Sequence, residues 1–176
     1  MGYKIRITAL LLIFPLLLQG QTAVKIDSCG LKNMYRIDKD VYRSEQPDAE
    51  HFVALEKYGI REILNLRYWH SDEAKMWQTS IKARHVRMKA HDADHRAIVK
   101  ALKIIANRKG AILIHCHHGS DRTGLIVAMY RLVFQNWSKK DAINEMLSDK
   151  FGFHKIYKNL VRYIELADIE QIKADF

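Results

Sequence analysis

Apolar residues along this chain have the spacing of strands in some segments and that of helices in the segments between them. This alternation predicts strands interleaved with helices. Residues 34–44 predict two short strands about a turn at residues 38–40. Residues 60–67 and 85–91 predict further strands, the latter from the alternating apolar positions at its centre. The unbroken apolar run at residues 111–116 is typical of a strand covered on both faces.

The segments between these strands carry the spacing of helices. The predicted helices span residues 47–59, 92–110, 123–137 and 138–147, with one or two more within 153–173. Gly59 and Gly110 are placed to end the first two, and Ser138 to begin the fourth as its N-cap. Strands alternating with helices, followed by a helical last third, predict an α/β domain with a central, largely parallel sheet flanked by helices.

The N-terminus has a different pattern. A short basic stretch precedes twelve apolar residues at 7–18, and residues 19–23 are polar or small. This is typical of a secretory signal peptide, predicted here at residues 1–23, with an uncleaved membrane anchor at 7–18 as the alternative. We therefore expect an exported, periplasmic or extracytoplasmic protein. Residues 24–33 are predicted to be irregular, and 34–176 to form one domain of ordinary size.

Charge narrows the choice of partner. The formal net charge is +9, and without Lys4 and Arg6 it is +7, from 27 basic and 20 acidic residues. Such an excess favours anionic partners. No dense basic run with interleaved aromatic residues is present, and export argues against nucleic acid. A positive field that attracts phosphorylated substrates is the better interpretation, and we expect the domain to act as a monomer.

Candidate chemistry is concentrated in the sequence HCHHGSDRTG, residues 115–124. Cys116 ends the buried strand, Gly119 allows a tight turn, and a helix is predicted to begin near Thr123. Backbone N–H groups of such a loop and a helix N-terminus form a concavity for an anion, and Arg122 can hold two phosphate oxygens. The same positive surroundings favour the thiolate of Cys116, so the loop predicts phosphate transfer through a cysteinyl-phosphate intermediate.

Three other interpretations of Cys116 stay open at this point. It could form a disulfide with Cys29, the other cysteine of the chain, since an exported protein meets oxidising conditions. It could join neighbouring histidines as a zinc ligand, although adjacent residues do not easily converge on one ion and no second ligand motif is present. It could also be an inert buried residue. We expect no metal and no other cofactor.

The residues around the loop resemble a known family. HCHHGSDRTG matches the H-C-x5-R-[ST] signature of the cysteine-dependent tyrosine and dual-specificity phosphatases. The flanking sequences within residues 33–150 are similar to bacterial exported tyrosine phosphatases of the TpbA type. The resemblance implies a small dual-specificity-phosphatase-like fold in a single domain. It identifies the chemistry and leaves the substrate open.

The resemblance also implies roles for individual residues. Cys116 matches the nucleophile and Arg122 the residue that binds the phosphoryl group. His115 matches the histidine that orients the loop, and Thr123 the hydroxyl that assists breakdown of the intermediate. The phosphate-binding loop implied in this way comprises His117, His118, Gly119, Ser120, Asp121 and Arg122.

A general acid must protonate the leaving oxygen. In the family it is an aspartate on a loop upstream of the signature, and here residues 89–96 offer Asp92 and Asp94. Asp92 follows the predicted strand more directly and is preferred, with Asp94 as the alternative acid or a plain helix N-cap. Arg43, Ser44, Arg67, Tyr68, Trp69 and Trp77 are weaker candidates that could equally support the core.

The function expected from these observations is hydrolysis of protein phosphotyrosine, with phosphoserine or phosphothreonine as further substrates. A lipid or inositol phosphate phosphatase of the same mechanism is the first alternative, and an N-terminal anchor would favour it. A non-catalytic phosphate-binding module is the alternative from another class. It predicts phosphate binding without turnover.

Overall fold

The computed structural model describes residues 22–176. The predicted signal peptide or anchor therefore lies almost wholly outside the described residues. Within the part of the chain that the structure describes, no helix combines the length and apolar character needed to cross a bilayer.

The described residues form one mixed sheet and two layers of helices. The strands are β1 (Val24–Lys25), β2 (Tyr35–Asp38), β3 (Val41–Ser44), β4 (Ile60–Asn65), β5 (Lys82–His85) and β6 (Ala111–His115). The helices are α1 (Ala49–Tyr58), α2 (His95–Ala106), α3 (Asp121–Gln135), α4 (Lys139–Leu147), α5 (Lys158–Leu166) and α6 (Ile169–Ala174). Short 3-10 turns lie at Glu73–Lys75 and Asp149–Phe151.

The strand order in the sheet is β1-β2-β3-β6-β4-β5. Strands β3, β6, β4 and β5 pair in parallel, whereas β1, β2 and β3 form antiparallel pairs. The carboxyl ends of β3, β4 and β6 consequently meet at one edge, where Ser44, Asn65 and His115 stand in register. An α/β fold with a largely parallel central sheet is confirmed, and that edge is where ligands bind in open α/β sheets.

Side chains of the sheet alternate between two apolar cores. On one face, Leu113 and Ile63 pack with Phe52 and Leu55 of α1. On the other face, Ile112 and Ile114 of β6 pack with residues of α2, α3 and α5. Helix α3 lies at the centre of that second layer, in contact with α2, α4, α5 and α6. Its almost complete burial explains why its sequence is apolar on all sides.

Three details of the structure differ from the sequence-based boundaries. The strand expected at residues 85–91 is β5, which ends at His85, so Val86 and Met88 are buried after the strand and not within it. The segment 24–33, expected to be irregular, contributes the two-residue strand β1 to the sheet edge. The expected cap at Gly59 is confirmed, with φ of 113°, whereas α2 ends at Ala106, with Asn107 as its C-cap, and not at Gly110.

Candidate active site

Cys116 lies at the junction between the buried strand β6 and α3, the most buried helix. Strand β6 ends one residue before it, and α3 begins at Asp121, two residues earlier than the sequence indicated. The side chain is only 1% exposed and belongs to the core face occupied by α3. Arg122 thus falls in the first turn of α3, where the helix dipole adds to its positive charge.

The loop after Cys116 turns its carbonyl groups outward. The oxygens of Cys116, His117, His118 and Gly119 accept hydrogen bonds from His115 Nδ1, Gln46 N, Asn33 Nδ2 and Arg43 Nη2, respectively. In a trans peptide the C=O and the following N–H point in opposite directions. The N–H groups of residues 117–120 therefore point into the loop. Successive inward N–H groups form an anion-binding concavity.

Gly119 is required by the path of this loop. Its φ is 71°, a conformation that L side chains rarely adopt. A Cβ atom at this position would lie against the carbonyl oxygen of Ser44 and 2.7 Å from the amide nitrogen of Glu45. The glycine thus lets the loop pack directly on the end of β3.

Two donors at the start of α3 are buried and have no hydrogen-bond partner within residues 22–176. These are Nε of Arg122 and Oγ1 of Thr123. Arg122 donates only through Nη1, to the carbonyl oxygen of Met88 at 3.2 Å. Buried polar groups are normally paired. An anion held by the loop amides would supply a hydrogen-bond acceptor for donors at the start of α3.

His115 connects the loop to an acidic residue that the sequence did not single out. Its Nε2 lies 2.9 Å from Oδ2 of Asp72, and both side chains are at most 2% exposed. Its Nδ1 lies 3.1 Å from the carbonyl oxygen of Cys116. His115 thus links the carboxylate of Asp72 to the backbone of the loop at Cys116.

Asp72 is held as a carboxylate by its neighbours. Burial alone would raise the pKa of this group, but the hydrogen bond and the charge of His115 outweigh it, together with the amide of Gln46. The net pKa is below the ordinary value. Gln46 Nε2 donates to Asp72 at 2.8 Å, and Gln46 Oε1 accepts from Arg67 at 3.2 Å.

The Asp72→Asn variant is expected to lose less folding stability than the wild type as the pH is lowered. An unfolded aspartate titrates near ~3.9, and the folded Asp72 titrates lower, so between these values the unfolded chain binds more protons and stability rises with pH. The contribution is complete above the unfolded pKa and is lost as the pH falls through the folded one. Urea unfolding from about pH 3 to pH 6 measures it. A difference between wild type and variant that is constant over this range would contradict the assignment.

Arg43 is a fully buried cation beneath the loop. Its guanidinium stacks 3.9 Å from the ring centroid of Phe151 and donates to the carbonyl oxygen of Gly119. Its Nε and Nη1 have no hydrogen-bond partner in the part of the chain that the structure describes. Burial lowers the pKa of Arg43 to about 10, and the charge of Cys116 acts in the opposite direction. Arg43 therefore supports the path of the loop and places a cation near Cys116. Ser44 binds the carbonyl oxygen of Glu45 and has a structural role.

Further positive groups surround the exposed side of the loop. Burial, and then the charges of His118, Arg67 and Arg122, lower the pKa of His117. Burial and Arg122 likewise lower the pKa of Arg67. The guanidinium groups of Arg67 and Arg122 thus lie close to each other and to His117. The field of these two cations favours an anion at the loop.

The two candidate acids occupy different environments. Asp94 is the N-cap of α2, and its side chain accepts a hydrogen bond from the amide of Arg96 at 2.9 Å. Asp92 is exposed in the turn before the helix, where its amide donates to Lys89. Arg122 ties this segment to the loop through Met88. The capping role expected as the alternative for Asp94 is thus present, and Asp92 has no such structural task among the hydrogen bonds of the described residues.

Asp121 is paired with a residue far away in the sequence. It is buried, and its carboxylate accepts hydrogen bonds from both the amide of His154, at 2.8 Å, and the ring Nδ1, at 2.9 Å to Oδ2. The rings of His117, His118 and His154 follow one another at centroid distances of 4.3 and 5.4 Å. Nothing near residue 154 in the sequence indicated this partnership.

The weaker aromatic candidates are not core residues. Trp69 and Trp77 are 82% and 74% exposed. Tyr68 contacts Trp69 at a centroid distance of 4.6 Å and lies under the ammonium group of Lys89 at 5.2 Å. Tyr68 is therefore next to the segment that carries Asp92, where it could border a bound substrate.

The disulfide alternative is wrong. Cys29 and Cys116 are both free thiols and belong to core clusters on opposite faces of the sheet. The zinc set of adjacent residues is not assembled either, because His115 is engaged by Asp72. Among the described residues, the side chains close enough to share a metal ion are instead His118, Asp121 and His154.

Comparisons with known proteins agree with this geometry. A family described as "Tyrosine phosphatase family" matches residues 31–175. The dual specificity protein phosphatase TpbA of Pseudomonas aeruginosa is 31% identical over 146 residues, which cover 80% of this chain and 65% of TpbA. The inositol diphosphatase SIW14 of Saccharomyces cerevisiae is 29% identical over 157 residues, which cover 81% of this chain and 53% of SIW14. The chain thus spans less than two thirds of either relative.

Solved structures show the same fold. The crystal structure of P. aeruginosa TpbA has a TM-score of 0.76 and 29% identity, covering 88% of this chain and 95% of that one. The catalytic domain of SIW14 has a TM-score of 0.72 and 29% identity, covering 82% and 91%. These likenesses confirm the family expected from the loop sequence. From the match over residues 31–175, the chain belongs to the tyrosine phosphatase family.

Proposed function

We propose that the protein hydrolyses phosphomonoesters, with protein phosphotyrosine as its principal substrate, by a cysteinyl-phosphate mechanism that needs no metal. The observation that carries the proposal is the loop of inward N–H groups beginning at Cys116, with Arg122 at its end. Such a loop binds a phosphate group directly in front of the cysteine. Donors fixed before the reaction stabilise the charge of the transferring group without reorganisation.

In the first step the Cys116 thiolate attacks phosphorus and forms the S–P bond. The bond from phosphorus to the leaving oxygen breaks, and Asp92 gives that oxygen its proton. In the second step Asp92 takes a proton from water, whose oxygen attacks phosphorus. The S–P bond then breaks, inorganic phosphate forms, and Cys116 is regained as the thiolate. Thr123 Oγ1, buried and unpartnered, is available to donate to the departing sulfur.

Protein phosphotyrosine is proposed as the substrate because of the relatives. TpbA is named a dual specificity protein phosphatase, and a solved structure shows a cysteine-to-serine variant of it in complex with pTyr. That structure has a TM-score of 0.77 and 28% identity to this chain. Tyr68, beside the Asp92 segment, offers an aromatic surface for a phosphoaryl ring.

An inositol phosphate is the second candidate, and a separate observation favours it. Arg67 adds a positive charge beside that of Arg122, as recognition of a second phosphate group would require. SIW14 is named an inositol diphosphatase. Arg67→Ala separates the candidates: it should raise KM for an inositol diphosphate strongly and for a phosphotyrosine peptide only slightly. Equal effects on both would leave phosphotyrosine as the sole candidate.

The proposal is tested by hydrolysis of para-nitrophenyl phosphate. We expect turnover that resists EDTA and is inhibited by vanadate, because no proposed step uses a metal and vanadate resembles the transferring phosphoryl group. Phosphate binding without turnover under reducing conditions would instead indicate the non-catalytic binding module.

Asp92→Asn is expected to lower kcat by ~10²–10⁴, the usual contribution of a positioned general acid. Asp94→Asn is the matched control, because asparagine caps a helix as well as aspartate does and should leave kcat and stability unchanged. The effect of Asp92→Asn on kcat should be smaller for substrates whose leaving group needs no proton. A variant that had merely lost its fold would not show this dependence on the leaving group. The reverse pattern, with activity lost only in Asp94→Asn, would transfer the role to Asp94.

We further propose that the protein acts outside the cytoplasm. The support is the basic and apolar pattern of residues 1–23, which is typical of a signal peptide. Fractionation of cells that express the full chain, with a variant lacking residues 7–18 as control, tests export. Equal recovery of both in the cytoplasm would contradict it.

A further inference from the structure

The side chains of His118, Asp121 and His154 converge at the exposed end of the loop. One potential ligand atom from each lies within 4.8 Å of the other two. His118 and His154 are exposed, whereas Asp121 is buried. Two imidazoles and a carboxylate are a donor set that zinc and its neighbours in the first transition row accept.

The distances suit a small ion. Zinc binds imidazole nitrogen and carboxylate oxygen at about 2.0–2.2 Å, so ligand atoms in a tetrahedral site stand ~3.3–3.5 Å apart. The distance from His154 Nδ1 to Asp121 Oδ2 is 2.9 Å, and no pair in the group exceeds 4.8 Å. A shift of well under 2 Å, made mainly by the exposed imidazole of His118, would bring all three into that range.

The backbone already holds the three residues in place. Asp121 is fixed at the first position of α3, and the amide of His154 donates to its Oδ1 at 2.8 Å. The carbonyl oxygen of His118 is held by Asn33 at 3.1 Å. An ion therefore has to order only side chains, which lowers the cost of binding.

We propose that His118, Asp121 and His154 form a binding site for a late first-row divalent cation such as Zn²⁺, with water completing its coordination. His118 and Asp121 also belong to the phosphate-binding loop, but no step proposed at Cys116 requires this cation. Hard cations such as Mg²⁺ prefer all-oxygen sites and are not expected to bind here. A pairing of Asp121 with His154 for structure alone would not require a second imidazole, His118, beside it.

Isothermal titration of ZnCl₂ into the full chain carrying Cys116→Ser tests the proposal. That substitution removes the loop thiol as a zinc ligand and also the proposed nucleophile, so the result is independent of turnover. We expect one site, with at least tenfold weaker binding in the additional variants His118→Ala and His154→Ala. His91→Ala, which removes an exposed imidazole outside the group, should bind as the parent does, and MgCl₂ should give no binding.

His118→Ala keeps the test decisive if His154→Ala does not fold, because it leaves the hydrogen bonds between Asp121 and His154 intact. Zinc binding that both variants retain at full affinity would overturn the proposal. So would the absence of binding to the parent at millimolar zinc. In either case the group is a structural hydrogen bond with a neighbouring surface histidine.

Discussion

Replacement of Cys116 by serine is expected to abolish phosphate-ester hydrolysis, lowering kcat by at least about 10⁴, since loss of the nucleophile of a covalent enzyme costs up to ~10⁶. A hydroxyl at this position is a far weaker nucleophile than a thiolate, and no positioned base in the loop would activate it. The two side chains are nearly equal in size, so the 1% exposed position should tolerate the change. Steady-state hydrolysis of para-nitrophenyl phosphate measures the loss.

Cys29→Ser is the matched control. This cysteine is also buried, at 5% exposure, but on the opposite face of the sheet. Its substitution should leave kcat unchanged. Cys116→Ser should still bind inorganic phosphate, because the loop amides and Arg122 are untouched. Hydrolysis by Cys116→Ser at a rate close to wild type would exclude the cysteinyl-phosphate mechanism.

Gly119→Ala is expected to destabilise the protein by about 2–5 kcal/mol and to remove most of its activity. An L residue at a φ of 71° costs ~1–2 kcal/mol, and forcing a methyl group into a packed site adds ~1–3 kcal/mol. The methyl group would meet the backbone of Ser44 and Glu45, which cannot turn aside as a flexible side chain can. Separation of the loop from β3 would relieve the clash and misalign the inward amides.

Gly152→Ala isolates the part of this effect that comes from the clash. Gly152 has a similar φ of 64°, but an added Cβ would meet only Oγ of Ser120, at an ordinary 3.5 Å. We expect only the conformational cost of ~1–2 kcal/mol and nearly full activity at temperatures where the protein is folded. Urea unfolding and kcat for both variants decide the point, and equal losses would contradict the packing argument.

Local sequence was sufficient for most of the fold and for the loop. The apolar run at residues 111–116 and the helical spacing before Gly59 each result from the burial of a single element. Such burial can be predicted from the residues of that element alone. The loop was recognisable because its functional groups, Cys116 and Arg122, belong to one short segment. The predicted bounds of α3 and β5 differ from those in the structure, because the ends of helices and strands depend on hydrogen bonds to neighbouring segments.

The supporting residues could not be found in the same way. Asp72 reaches His115 across 43 positions, and His154 reaches Asp121 across 33. Arg43 could be named as a candidate, but its place under Gly119 depends on the parallel pairing of β3 with β6. Such contacts are set by how the strands assemble. No periodicity along the chain encodes them.

The hydrogen bonds to the outward carbonyls of the loop also determine at which stage of folding the loop can form. Their partners Asn33, Arg43 and Gln46 precede the loop by 71 to 85 positions. Contacts this distant in sequence form late during folding, since a long intervening chain must close first. Residues 115–124 are therefore not a portable module: grafted onto another scaffold, or synthesised as a peptide, they would keep the signature and lose the anion-binding shape.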